Sequence, residues 1–269
     1  MKKRNRIGIF DSGLGGLTVM KAMKATCPKE NLVYFGDTAR VPYGGKSPET
    51  IIRYSVENGI FLMEQDIKML VIACNTASAF AIDKLKSIFN IPIIDVIAPG
   101  AEKAVVSTKN KRIAVIGTKA TILSGSYQKK IQSLTQGAQV FAIPCPLFVP
   151  MVEERFLNHE AMELIVKEYL KPLQGTSIDT LLLGCTHYPV LKSIIQKVIG
   201  PDVQIVDSAT TCAEHVKLKL DELEIASDEN KQEIRFFVSD DPGKFKDLGP
   251  FFYGEPIETV ESVMEPAWR

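Results

Sequence analysis

The 269-residue sequence has little of what marks several common classes of protein. It contains one tryptophan and three histidines, and it has no excess charge of either sign, with 32 Lys and Arg against 32 Asp and Glu. A chain without surplus positive charge has no bulk electrostatic attraction for nucleic acid or for an anionic membrane. We therefore expect a small-molecule substrate and no nucleic-acid partner.

Long apolar runs are also missing. The basic start MKKRNRIGIFDSG has only a four-residue apolar stretch before Asp11, whereas a signal peptide needs roughly 7–15 such residues. No run approaches the ~18 apolar residues of a membrane helix. The five cysteines are odd in number and scattered, which is typical of a reducing compartment and not of a disulfide framework. We expect a cytoplasmic protein with no membrane partner.

The sequence has no arrangement typical of a metal or redox site. Cys-x-x-Cys is absent, and the nearest approach, Cys212 with His215, lacks a second pair of ligands. We interpret these two as ordinary helix residues. No lysine lies in a motif that demands pyridoxal phosphate. The sequence therefore predicts no cofactor and no metal.

Short apolar runs alternate with helical patterns along the chain. Strand and helix in alternation predict the α/β fold class, with mainly parallel sheets built from βαβ units. The eight strand candidates lie within residues 6–16, 31–38, 69–78, 91–101, 112–121, 138–146, 180–189 and 203–210. Helix candidates include residues 16–25, 48–64, 77–88, 121–134, 159–171 and 189–198.

Two parts of the chain resemble each other. VIACNTAS aligns with LLGCTHYP, so that Cys74 matches Cys185, and IPIIDV with VQIVDS and IGIFDSG with IAVIGTK match in the same order. We predict two similar α/β domains facing each other across a central cleft. The first comprises residues 1–97 and 209–269, and the second comprises residues 98–208.

The last part of the first domain has a mixed pattern. The charged residues 221–234 are predicted to form a solvated helix end and a linker. Residues 236–254 are predicted to supply an edge strand and a turn-rich cap.

The repeat places one cysteine at the carboxyl end of a strand in each half, where ligands bind in open α/β sheets. A thiol hydrolase would need one nucleophile and one base, such as Cys185 and His187, which would leave Cys74 without a role. Two thiols across a cleft suit a reaction in which one removes a proton from carbon and the other delivers a proton to the opposite face. Because helix starts and polar neighbours lower thiol pKa values, we expect a depressed pKa for both cysteines.

The motifs FDSGLGGLTV, GDTARVPYG, ACNTASA, PCPLFVPMVEE, LGCTHYP and VDSA, in this order, resemble the glutamate racemases, a family of cofactor-independent amino-acid racemases. The resemblance covers essentially the whole chain. It implies interconversion of L- and D-glutamate, with D-glutamate supplied to bacterial peptidoglycan, and a homodimer of two-domain subunits. It implies that Cys74 and Cys185 are the acid/base residues. It also implies a substrate site lined by Asp11, Ser12, Tyr43, Gly44, Asn75, Thr76, Thr186 and His187.

The resemblance also suggests roles for the neighbours of the two thiols. Asp11 would hold the substrate ammonium and tune Cys74, although its residue type and position equally suit a turn. His187 would be a proton partner of Cys185, with Glu153 as an acid behind it. Thr76 and Thr186 are candidates both for substrate contacts and for helix N-caps. Many relatives carry a bulkier residue where this chain has Gly45, which leaves the stiffness of this loop open.

Three other functions fit parts of the sequence. Gly13, Gly15 and Asp37 resemble a dinucleotide-binding turn, but Thr18 stands where the third glycine belongs and Asp11 would lie near the pyrophosphate. A non-catalytic module that binds small carboxylates would use the same cleft without needing either thiol. An aspartate racemase or a related isomerase of the same superfamily is the closest alternative.

Overall fold

The fold consists of two parallel sheets. The computed structural model describes residues 5–263, and residues 1–4 and 264–269, which the sequence assigns to the first domain, lie outside the described residues. Within residues 5–263, ten strands form a six-stranded and a four-stranded sheet, and all paired strands run parallel. The strands are β1 Arg6–Asp11, β2 Leu32–Gly36, β3 Ile67–Ile72, β4 Ile93–Asp95, β5 Arg112–Gly117, β6 Gln139–Pro144, β7 Thr180–Gly184, β8 Gln204–Asp207, β9 Ile234–Val238 and β10 Glu261–Ser262.

Helices alternate with the strands, which confirms the predicted α/β class. The α-helices of the described chain are α1 Leu17–Thr26, α2 Pro48–Met63, α3 Asn75–Ile88, α4 Ile97–Ser107, α5 Lys119–Ser124, α6 Ser126–Leu134, α7 Phe148–Glu153, α8 Glu160–Leu170, α9 Lys192–Ile199, α10 Ser208–Glu222 and α11 Pro242–Tyr253. Short 3₁₀ turns occur at Thr38–Arg40, Tyr43–Gly45, Phe156–Asn158, Lys171–Leu173 and Tyr188–Leu191.

The two sheets repeat one strand order. The six-stranded sheet runs β10-β9-β2-β1-β3-β4, and the four-stranded sheet runs β6-β5-β7-β8. The order β2-β1-β3-β4 therefore recurs as β6-β5-β7-β8, as the internal repeat predicts, and each of the eight predicted strands is present. The strands of the first sheet come from residues 6–95 and 234–262, and those of the second from residues 112–207. This distribution supports the division that we propose into residues 1–97 with 209–269 and residues 98–208.

Burial explains the strand assignments. Strands β2, β3 and β7 are buried at every position, which is expected where helices cover both faces of a parallel sheet, whereas the edge strand β6 is only partly buried. One buried cluster joins side chains of both sheets, among them Ile9, Val71 and Leu183. The two halves therefore share a core. Among residues 5–263, none of the helices combines the length and the apolar character that crossing a bilayer requires.

Several predicted helix limits are wrong. The helix predicted at 77–88 begins at Asn75, and the one predicted at 121–134 is divided because Gly125 adopts a left-handed conformation with φ 67°. The helix predicted at 189–198 is preceded by a 3₁₀ turn and begins at Lys192. Residues 242–253 form α11 where a turn-rich cap was expected. Strand β9 is not the edge strand that the sequence predicts, because the two-residue β10 pairs with it and forms the edge of the sheet.

The predicted linker lies over a buried ion pair. Helix α10 ends at Glu222, and residues 223–233 contain neither helix nor strand. Lys68 Nζ lies 2.6 Å from Glu30 Oε2 and donates a hydrogen bond to the Ile225 carbonyl at 2.7 Å. The Ser227 N–H donates to Glu30 Oε1 at 2.6 Å. The linker is therefore anchored at its start, although most of its charged side chains are exposed.

Candidate active site

The predicted site residues gather around one cavity. Strands β1, β3 and β7 direct their carboxyl ends toward it, and Cys74 and Cys185 follow β3 and β7. The cavity has a volume of about 430 Å³. Its lining comprises Ser12, Val41, Pro42, Tyr43, Gly44, Gly45, Cys74, Asn75, Thr76, Thr118, Lys119, Pro146, Val149, Pro150, Glu153, Cys185, Thr186 and His187. A larger groove of about 650 Å³ between α8 and α9 contains none of the predicted residues.

Cys74 is the N-cap residue of α3. The Ala77 N–H donates to Cys74 Sγ at 3.5 Å, and the thiol contacts Ser12 Oγ at 3.7 Å. Burial and the nearby Asp11 carboxylate raise the pKa of Cys74 to about 12, and they outweigh the contacts to Ala77 and Ser12. The prediction of a depressed pKa is therefore wrong for this thiol, because the helix start is buried.

Cys185 begins a chain of polar contacts. Its Sγ lies 3.9 Å from His187 Nδ1, and His187 Nε2 lies 3.0 Å from Glu153 Oε1. Burial raises the pKa of Cys185 as well, so the prediction of depression is wrong here too. Burial opposes ionisation of Glu153, but His187 and Lys244 hold the pKa of its carboxyl below the usual value. The Glu153 carboxylate, the His187 imidazole and the Cys185 thiol thus form a chain of contacts on one side of the cavity.

Asp11 lies behind the cavity wall. Its side chain is fully buried, accepts hydrogen bonds from the Gly13 N–H at 3.0 Å and from Thr186 Oγ1 at 3.3 Å, and does not line the cavity. Burial raises its pKa. Since its charge raises the pKa values of both Cys74 and Cys185, Asp11 acts on the two thiols through its field.

Asn75 presents an unsatisfied donor beside Cys74. It is 2% exposed, and its Oδ1 accepts a hydrogen bond from the Tyr127 hydroxyl at 2.6 Å. Its Nδ2 is buried without a hydrogen-bond partner among the described residues, although Asn75 lines the cavity. A buried N–H₂ group of this kind needs an acceptor, and a substrate carboxylate would supply one.

Neither Thr76 nor Thr186 caps a helix, so the prediction that they are N-cap residues is wrong. Cys74 itself caps α3, and the Thr76 hydroxyl is within 3.0 Å of Thr118 Oγ1 and 3.2 Å of Thr121 Oγ1. Thr186 donates to Asp11, and the turn that follows has His187 at its N-cap position. Both threonines nevertheless line the cavity, as do Ser12, Tyr43 and Gly44.

Sequence reasoning missed several lining residues. Thr118 follows β5 directly. It aligns with Ser12 when IAVIGTK is superposed on IGIFDSG, so the repeat could have identified it as a site residue. Lys119, the first residue of α5, follows it. The apolar wall of Val41, Pro42, Pro146, Val149 and Pro150 carries no chemical signal, because such residues line cavities and cores alike.

The glycine-rich turn serves close packing and not phosphate binding. A Cβ on Gly15 would overlap Thr186 Oγ1 and His187 Nδ1. Asp37, which a dinucleotide site would place on a ribose, is fully buried and accepts hydrogen bonds from Arg40. The dinucleotide interpretation is therefore wrong. Among residues 5–263, no three His, Cys, Asp or Glu side chains group as metal ligands, and Cys212 is a buried residue of α10.

Comparison with known proteins agrees with this geometry. The Asp/Glu/Hydantoin racemase family model matches residues 7–216. A glutamate racemase of Geobacter metallireducens is 47% identical over 258 residues, which is 96% of either chain. The crystal structure of a glutamate racemase from Bacillus anthracis superposes with a TM-score of 0.94 at 39% identity, covering 97% of this chain and 98% of that one. The glutamate racemase of Francisella tularensis, solved in complex with D-glutamate, gives a TM-score of 0.92 at 38% identity over 97% and 98% of the two chains.

Proposed function

The chain belongs to the Asp/Glu/hydantoin racemase family and is an isomerase of the racemase class, and from this premise we propose that it interconverts L- and D-glutamate. One observation carries the proposal. Cys74 and Cys185 follow equivalent strands of two similarly ordered sheets and line the same cavity. Two-base racemisation places a base on one face of the α-carbon and an acid on the other, and two such thiols supply both groups.

In the proposed mechanism, one cysteine thiolate removes the α-proton and the opposite thiol donates its proton to the other face of the carbanion. The C–H bond breaks on one side, a new C–H bond then forms on the other, and the two cysteines exchange protonation states. Burial raises both thiol pKa values, so each thiolate needs help to form. His187 receives the proton of Cys185 and is supported by Glu153. Asp11 acts on Cys74 in the opposite sense, because its charge raises the pKa of that thiol and favours the protonated form that donates to the carbanion.

Substrate recognition uses the polar groups of the lining. The free Nδ2 of Asn75 binds a substrate carboxylate, and the hydroxyls of Ser12, Thr76 and Thr186 complete the polar contacts. Tyr43 and Gly44 contribute the backbone of their loop. The substrate ammonium group lies on the side of the cavity nearest Asp11. The buried Asp11 carboxylate attracts it across the intervening Ser12 and Thr186. The D-glutamate found with the Francisella tularensis racemase supports glutamate as the ligand.

We further propose that the enzyme acts without a cofactor, because its own thiols provide both proton transfers. Its D-glutamate supplies peptidoglycan synthesis. The active unit is a homodimer. An aspartate racemase is the competing function.

The decisive experiment supplies each enantiomer of glutamate and of aspartate to the purified protein and follows optical rotation. Loss of rotation with both enantiomers of glutamate, and not with those of aspartate, is the expected result. Faster racemisation of aspartate would favour the aspartate racemase. Binding of glutamate without any loss of rotation would favour the binding module and contradict the proposal.

A further inference from the structure

We propose that Arg40 is a positioning residue for the substrate loop, residues 41–45, and that it sets the affinity for glutamate without entering the cavity. The inference rests on the proposed function. All five residues of the loop line the cavity, whereas Arg40, directly before them, does not. Its side chain instead joins a partly buried network of polar groups.

The loop contains a single 3₁₀ turn, Tyr43–Gly45. Its 3₁₀ turn is closed by a hydrogen bond from the Lys46 N–H to the Tyr43 carbonyl at 3.0 Å. On the cavity side it packs closely on Thr118, the N-cap residue of α5, since a Cβ on Gly44 would lie 3.0 Å from Thr118 Cβ. A Cβ on Gly45 would meet nothing within 4 Å. Gly44 therefore lies close to Thr118, and the two residues share the cavity wall.

Arg40 fastens the start of the loop to two elements. Its Nε donates to both Asp37 carboxylate oxygens at 2.8 Å, at the end of β2. On helix α2 its guanidinium donates to Glu57 and, at 3.0 Å, to Asn58 Oδ1. The guanidinium also stacks over the Tyr54 ring, 4.1 Å from its centroid. The planar, five-donor fork of arginine suits such a set of partners, and a lysine cannot reproduce it.

Tyr43 fastens the middle of the loop to three of the four partners of Arg40. Its hydroxyl donates to Asp37 and accepts from Asn58 Nδ2 at 3.1 Å, and its ring packs against Tyr54 with centroids 5.7 Å apart. Arg40 and Tyr43 therefore hold the backbone on both sides of residues 41–42. Without the guanidinium, the fully buried Asp37 would lose its charged partner, and the grip on Tyr43 would weaken with it.

This network acts on binding and not on chemistry. A loop held in its binding conformation spares the substrate the cost of ordering it, so its release lowers affinity. Arg40 contacts no group that reacts. Loss of Arg40 should therefore raise KM and leave kcat nearly unchanged, the signature of an interaction felt equally in the ground and transition states.

The test compares Arg40→Gln, Arg40→Lys and Arg53→Gln in the full-length protein. Arg53 is the matched control, because it also stacks on Tyr54, at 5.1 Å, but forms no ion pair with a carboxylate of residues 5–263. With L-glutamate, Arg40→Gln should raise KM about tenfold or more while kcat stays within about threefold. Arg40→Lys should show a smaller rise in KM, and Arg53→Gln should match the wild type in both constants.

Thermal melting identifies any variant that fails to fold. In that case Glu57→Gln, which keeps the Arg40–Asp37 pair, should raise KM in the same direction by a smaller factor. A folded Arg40→Gln with unchanged KM, or with a fall in kcat alone, would overturn the inference. A wild-type protein that racemises no glutamate would instead contradict the proposed function on which the inference rests.

Discussion

Burial raises the pKa values of both cavity thiols, although Cys74 lies at the start of helix α3. Their places after Ile72 and Gly184, at strand ends, could be predicted from the sequence because apolar runs mark buried strands. Their pKa values could not. The pKa depends on how completely helices and loops exclude water, and burial outweighs the helix start at Cys74. The sequence also did not reveal that Cys74, and not Thr76, caps α3.

A raised pKa predicts how Cys74 reacts with an alkylating agent. The thiolate is the reactive form, so its fraction should rise about tenfold per pH unit below the pKa. In a Cys185→Ser background, we expect the rate of Cys74 alkylation by iodoacetamide to rise in this way between about pH 7 and pH 9 without a plateau. Mass spectrometry of the Cys74 peptide measures the rate, and glutamate should slow it. A plateau below pH 8 would contradict the raised pKa, since about 12 is expected.

Removing either thiol should stop racemisation. A serine hydroxyl is a much weaker acid and base than a thiol at neutral pH, so Cys74→Ser and Cys185→Ser should each lower kcat by about 10²–10⁴-fold. Cys212→Ser is the control, because Cys212 is equally buried but lies in α10, away from the cavity. Polarimetry with both enantiomers measures the loss. A variant at either cavity position that keeps the parent rate would exclude the two-thiol mechanism.

At the scale of the element, the glycine-rich turn between β1 and α1 positions the site residues that follow β7. The start of α1 approaches the segment after β7 so closely that Thr18 Oγ1 donates to the Thr186 carbonyl at 3.0 Å. Gly15 has no side chain at the point of contact with Thr186 and His187. This explains the glycine cluster, which from the sequence alone also suited a phosphate-binding turn.

Adding one methyl group at Gly15 should therefore damage the site. In Gly15→Ala the new Cβ must displace Thr186 and His187, so we expect kcat/KM to fall more than about tenfold, since small displacements of catalytic groups have large effects. Gly243→Ala is the matched control near another helix start, where a Cβ would lie 3.4 Å from Asp241 Oδ1, an ordinary contact. Full activity in a folded Gly15→Ala variant would show that the close approach has no catalytic role.

Elements with conflicting local signals were the ones that the sequence did not predict. Helix α11 carries Pro250 in its interior, and proline normally breaks helices, so the segment resembled a turn-rich cap. Its buried side chains, Phe245, Leu248, Phe252 and Tyr253, stabilise the helix through tertiary packing that no local pattern shows. Gly125 divides a segment that the sequence predicts as one helix. It lies inside an otherwise helical pattern, and its left-handed conformation ends α5 and starts α6.

At the scale of the whole molecule, the repeat is the feature that both sequence and structure express most clearly. Strands β3 and β7 hold the same place in the two sheets, each between a neighbour on either side, and each is followed by a cysteine. The fold class and all eight predicted strands followed from apolar patterning alone. The asymmetry did not. Only the Cys185 side carries a histidine and glutamate pair, and only the first sheet adds β9 and β10.

An arrangement of one thiol from each half predicts where solvent hydrogen enters the product. A single base that returned the proton it removed would carry substrate hydrogen into the product. With two thiols, the donor has already exchanged with solvent before it protonates the carbanion. In deuterated water, early product from either enantiomer should therefore carry deuterium at the α-carbon, while recovered substrate keeps its hydrogen.

The serine variants extend this test to each half separately. With one thiol left, each variant should exchange the α-hydrogen of only the enantiomer that faces that thiol, which gives washout without inversion. Proton NMR of the α-position in both enantiomers, read at low conversion, distinguishes the cases. If the substrate's own hydrogen appeared in the product in substantial amount, one base would serve both faces. The equivalent positions of Cys74 and Cys185 in the two sheets would then have no mechanistic meaning.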